Sequence, residues 1–174
     1  MAHMHFNDYG REMASYNSWQ NRTLYALCDQ IGDEARKQDR NLFFRSILGT
    51  LNHILYVDQR ILTILKQATP PPFEPRTIVT EDFPTLTRLR FAADADIEAF
   101  AQQRDQRWQD GTRALPGPDG QLRHLPLQLF FIQLFNHQTH HRAQITSELH
   151  RMGYDYGGTD LPLSPFATTV SDPT

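Results

Sequence analysis

Three histidines fall within five residues near the end of the chain, at His137, His140 and His141. His137 and His141 are four residues apart, so on a helix their rings sit one turn apart on the same side and can converge on one point. A helical HxxxH pair chelates zinc with this spacing. The surrounding segment, PLQLFFIQLFNHQTHHRAQITSELHRM, carries helical periodicity. At about 100° per residue, Leu127, Phe130, Phe131, Leu134, Ile145, Leu149 and Met152 form one apolar stripe. His141 lies within that stripe, His137 lies at its edge with Gln144 and Glu148, and Gln138 also points inward. The stripe thus turns polar for two turns and then becomes apolar again. Unpartnered buried polar groups cost about 1–3 kcal/mol each, so these must be satisfied, and a metal ion is one way to do it.

A third ligand is available on another segment, NLFFRSILGTLNHILYVDQRILTIL. Phe43, Ile47, Ile54, Val57, Ile61, Ile64 and Leu65 share a face there, and His53 flanks it at mid-helix. His137 and His141 are also near mid-helix, so the heights match whichever way the two helices run. Asp58 interrupts the same face one turn later and could orient a histidine from behind. His140 lies about 60° from His137, away from the stripe, and reads as solvent-facing or supporting. A lone histidine beside an apolar face is commonly just a hydrogen-bonded core residue, and HxxxH pairs are frequent. The weight comes from both occurring at matched heights. His124 and His150 read as surface residues, Cys28 as a core thiol, and Trp19 and Asn21 as packing and hydrogen-bonding residues.

Several chemistries are excluded. In HQTHH, Gln138 stands where an HExxH metalloprotease needs its glutamate base. There is no Glu-x-x-His pair of the di-iron bundle kind, no Gly-rich phosphate loop and no G-x-S-x-G elbow. Three histidines leave at least one coordination position open, which marks a catalytic metal, whereas structural zinc is closed by four ligands. An open site can bind water or a soft thiolate and activate either. Hydrolysis by a metal-bound hydroxide would need a base, and Glu148 is the only carboxylate on the histidine face, two turns past His141. Zinc is the default ion, with nickel, iron, manganese and copper also compatible. A non-catalytic, metal-stabilised module for stress-related binding is the alternative.

The 174 residues suit a single domain, 1–174. Net charge is -3 with both signs interspersed, and no basic stripe favours nucleic acid. One cysteine rules out an intrachain disulfide framework and makes the cytoplasm the expected setting. No apolar run approaches the ~20 residues of a membrane helix, and the polar start lacks a secretory core. Four helices are predicted, over Asp8–Ile31, Asn41–Leu65, Pro84–Trp108 and Pro126–Met152, the last capped by Gly153. Pro70, Pro71, Pro72 and Pro75 force the linker between the second and third to be extended. At ~3.1 Å per residue, ~18 residues could reach ~55 Å, enough to cross a helix ~37 Å long. Such a crossover makes the second and third helices parallel, while a wandering loop would leave a simple up-down order. The Pro-Gly-Pro-Asp-Gly run predicts a small β-hairpin between the third and fourth helices. The tail, 154–174, is expected to pack through Leu161, Leu163 and Phe166 and to fray at its end.

His53 in LNHILYVDQ, NHQTHHRAQI at 136–145 and the opening YNSWQNRTLYALC together resemble the DinB/YfiT-like family of metalloenzymes. The resemblance runs from about residue 6 to the tail, with Ala143 standing where glycine is frequent. It implies an all-α, up-down-down-up four-helix bundle over about 6–153. It also implies a metal site on His53, His137 and His141, and a homodimer. Relatives of known activity are transferases and isomerases that use low-molecular-weight thiols such as mycothiol or bacillithiol. The resemblance therefore implies a thiol and a small-molecule substrate as partners.

Overall fold

The computed structural model describes residues 5–102, 108–117 and 119–167. The described chain is mostly helical, with one small two-stranded sheet. Five α-helices occur among the described residues: α1 (Phe6–Gln30), α2 (Gly32–Lys37), α3 (Ile47–Leu65), α4 (Phe83–Ala101) and α5 (Leu127–Arg151). The hairpin strands β1 (Thr112–Pro116) and β2 (Leu122–Pro126) pair antiparallel, with Ala114 opposite His124. The long helices pack in a closed cycle, α1 on α4, α4 on α3, α3 on α5 and α5 on α1.

The second predicted helix starts later than its periodicity implied, at Ile47 rather than Asn41. Asn41 and Arg45 both have positive φ, and the Arg45 N–H donates to the Leu42 carbonyl at 2.8 Å, closing a tight turn. Ser46 then caps α3 by accepting from the Gly49 N–H at 3.0 Å. Phe43, assigned to the apolar face, is instead 66% exposed on this turn. The third predicted helix ends at Ala101 rather than Trp108; residues 103–107 lie outside the described residues. Trp108 packs against Phe6, Phe100 and Phe131. Helix α4 is capped by Asp82, which accepts from the Thr85 N–H at 2.9 Å, with Pro84 in its first turn. Gly153, at φ 87, ends α5.

The proline-rich crossover is a strap rather than a free loop. It runs back along α3, meeting progressively earlier residues of that helix. Arg60 donates to the Pro71 carbonyl and Tyr56 Oη to the Pro72 carbonyl. His53 bonds to the Pro75 carbonyl, and Asn52 Oδ1 accepts from the N–H groups of Val79 and Thr80. The tail differs from expectation. Leu163 and Phe166 are 79% and 56% exposed, and Leu161 38%. The tail docks instead through Tyr154 and Tyr156, which pack against the core, and through polar contacts, Tyr16 Oη to the Thr159 carbonyl and Tyr156 Oη to the Gln20 carbonyl. The end expected to fray, 168–174, lies outside the described residues.

The apolar core divides in two. One half gathers Ala14, Ile61, Phe100, Phe131 and Leu134 toward the hairpin, and the other Leu24, Ile54, Leu86, Ile145 and Leu149 toward the far end. A buried polar layer separates them. In the first turn of α3, Gly49 has no room for a side chain, because a Cβ there would meet the Phe44 carbonyl oxygen. Gly49→Ala is expected to lower stability by about 1–3 kcal/mol in urea unfolding, because the turn that carries Phe44 must move.

Candidate metal centre

Helices α3 and α5 bring His53, His137 and His141 together. One ligand nitrogen from each lies within 4.8 Å of the others. The ring centroids are 4.9 Å apart for His53 and His137, 4.7 Å for His53 and His141, and 4.4 Å for His137 and His141. His53 and His141 are buried and His137 is partly buried.

Surrounding groups set which nitrogen of each ring is free. A carbonyl only accepts, so the 2.8 Å contact to Pro75 places the proton of His53 on Nδ1 and leaves the Nε2 lone pair open. His141 Nδ1 donates to Gln144 Oε1 at 2.9 Å, which frees its Nε2 in the same way. His53 Nε2 and His137 Nε2 approach to 3.0 Å. His53 Nε2 carries no proton, so His137 must hold one there or both must face a cation. His137 Nδ1 is buried without a partner. The donor set fits a divalent ion. Zinc takes imidazole nitrogens at ~2.0–2.1 Å, and His53, His137 and His141 would hold it.

Burial keeps these rings neutral. It pushes His53 down to about 4, with the Pro75 bond opposing and His141 reinforcing the shift. It pushes His137 down to about 3, helped by the other histidines. It lowers His141 too, against the Gln144 bond. Phe44 supplies part of the cover, stacked on His53 at 3.8 Å between centroids.

The other candidate residues are placed as follows. His140 is exposed; its Nε2 lies 3.3 Å from Gln144 Nε2 and its ring 4.7 Å from that of His141. Gln138 turns from the histidines into the polar layer. Asp58 was expected to back a histidine, but its Oδ2 accepts from Arg90 and, at 2.7 Å, from Gln138 Nε2. The physical reason is Arg90, a buried guanidinium that must take a carboxylate partner. Glu148 pairs with Arg151 at 2.5 Å.

The polar layer itself is the feature that sequence reasoning missed. Arg90 also pairs with Asp94 at 2.9 Å. Asn21 Nδ2 donates to Asp94 at 2.9 Å and to Gln138 Oε1 at 3.0 Å. Arg142 donates to Asn17 and, at 3.1 Å, to Gln138 Oε1. These seven side chains come from α1, α3, α4 and α5 and are all nearly fully buried. Burial pushes Asp58 up to about 7 against the pull of Arg90, and raises Asp94 likewise.

The DinB family model matches residues 3–172. The chain belongs to the DinB family. A crystal structure of a DinB-like protein from Bacillus cereus ATCC 10987 matches with a TM-score of 0.55 at 18% identity, covering 80% of this chain and 90% of that one. At that identity the likeness carries the fold. No curated protein matches. For this DinB-family chain, the three-histidine group could hold a metal ion.

Two outcomes are expected. Arg90→Met leaves Asp58 and Asp94 buried without their cation and should cost about 3–5 kcal/mol in urea unfolding. The histidines' folded pKa values lie below the unfolded value, so the stability they contribute is present above pH 6.5 and drains as pH falls toward about 4 and 3. In metal-free protein, wild type should therefore lose stability relative to His137→Gln between pH 6 and 4, by up to about 1 kcal/mol per pH unit. A gap independent of pH would contradict the assignment.

Proposed function

We propose that this chain is a metal-dependent enzyme that uses an open three-histidine centre to bind and activate a thiol, as a transferase or isomerase. The observation that carries this is the donor set. Three neutral imidazoles converge, and no carboxylate or cysteine joins the group among the described residues. At least one coordination position is then left for an exogenous ligand. The ion, zinc by default, supplies Lewis acidity toward a thiol or a water molecule. The protein's own part is to keep the rings neutral by burial, to aim them through the Pro75 carbonyl and Gln144, and to shield them with Phe44. Hydrolysis is the weaker reading, because Glu148 is engaged with Arg151.

We also read the four long helices as an up-down-down-up bundle forming a single domain. Contacts that support this include Lys66 at the end of α3 with Asp96 late in α4, and Tyr25 late in α1 with Phe83 at the start of α4. Tyr9 with Phe135 and Asn17 with Arg142 support a parallel α1 and α5. A homodimer in the cytoplasm, with a low-molecular-weight thiol and a small-molecule substrate as partners, completes the proposal. The lone Cys28, a buried thiol, suits a reducing compartment.

The test is cobalt(II) substitution followed by titration with N-acetylcysteine. A new sulfur-to-cobalt absorption band is expected, lost in His141→Ala together with the metal. An unchanged spectrum, with a melting temperature that drops sharply on chelation, would favour the non-catalytic, metal-stabilised module instead.

A further inference from the structure

A cavity of about 750 Å³ lies between the proline-rich strap, the hairpin and the adjoining sides of α3 and α5. Its size falls in the range that small organic ligands occupy. Most of its wall is apolar, with Ile61 and Ile64 from α3, Leu115 from β1 and Phe130 from α5. The charged side chains that line it are Arg60 and Arg113. No carboxylate lines it among the described residues, in a chain whose net charge is -3. The two cations enter from different elements, one from α3 and one from the hairpin.

Each arginine is held by neutral groups among the described residues. Arg60 donates to the Pro71 carbonyl and stands over the Phe73 ring. Arg113 Nη1 reaches the Gln67 carbonyl at 3.4 Å. These contacts anchor each guanidinium to the wall and leave further N–H donors on it. Neither pairs with an acidic side chain among the described residues. Two anchored guanidiniums in an apolar cleft match a carboxylate on a hydrocarbon body, through charge-assisted and bidentate bonds.

The cavity also adjoins the histidines. Val57, one helical turn beyond His53, and Gln133, one turn before His137, both line it. On each ligand-bearing helix it therefore begins about 6 Å along the axis from the candidate centre.

We propose that this cavity is the substrate site of the histidine centre and takes a small molecule with an apolar body and a carboxylate held between Arg60 and Arg113. Its role as a substrate site rests on the function proposed above, whereas the ligand class rests on the cavity alone. The test uses the zinc-loaded full chain with 8-anilinonaphthalene-1-sulfonate as the fluorescent probe. Octanoate should displace the probe and octylamine should not. Arg60→Gln and Arg113→Gln should each weaken octanoate roughly tenfold, with zinc content unchanged. Arg123→Gln, on the hairpin but outside the cavity, should behave as wild type. On the cobalt protein, 8-mercaptooctanoate should perturb the metal spectrum at lower concentration than octanethiol, and Arg60→Gln should erase that advantage. Equal displacement by octanoate and octylamine, or indifference to both arginine variants while zinc still binds, would overturn the proposal. Arginine-dependent octanoate binding in a protein that takes up no metal would uphold the anion site and overturn the metal centre.

Discussion

Arg90 places a positive charge where the side chain is 1% exposed, and the middle of the protein is organised around neutralising it. Asp58 and Asp94 supply the countercharge, Asn17, Asn21 and Gln138 donate to their carboxylates, and Arg142 donates in turn to Asn17 and Gln138. A buried ionic cluster of this kind adds little net stability, because desolvation offsets most of the attraction. What it does here is fix register. A slip of any one of the four helices would strand a charge or an amide in the core. Gln138 lies between His137 and His141, so the bonds that hold it fix the rotation of α5. Asp58, five residues past His53, does the same for α3. The imidazoles meet because the layer beside them permits one docking of their helices.

The strap along α3 completes the site from outside. Its prolines keep it extended and carry no N–H of their own to satisfy. Its carbonyls therefore serve as acceptors for α3 side chains, and the one at Pro75 fixes the tautomer of His53. The turn before α3 does the complementary work by laying Phe44 on the same ring. Desolvation by these two segments keeps the histidines in the form that can ligate a cation.

The long helices were legible because apolar periodicity and caps mark them, and the hairpin because Pro-Gly-Pro-Asp-Gly can only turn. The HxxxH pair was legible because a single helix fixes its geometry. Helix α2 was not, since Gly32 interrupts the pattern and six residues are too few to show a period. The turn at 41–46 was misread because Phe43 and Phe44 continue the apolar rhythm of α3 by residue type, while the backbone departs at Asn41 and Arg45. Arg90 and Asp94 stand four residues apart, and such a pair reads as a solvated surface ion pair until another helix covers it. The acceptor at Pro75 is a backbone atom, which no side-chain pattern can announce. Asp58 reads as a partner for the histidines because its actual partner, the Arg90 guanidinium, comes from a different helix, α4.

The central claim is that three imidazoles from two helices share one cation. X-ray absorption at the zinc edge of the zinc-loaded protein tests it most directly. A coordination shell with three imidazole nitrogens at about 2.0–2.1 Å and one or more exogenous oxygen or sulfur ligands is expected. A shell with a single imidazole, or one dominated by carboxylate oxygen or protein sulfur, would contradict it.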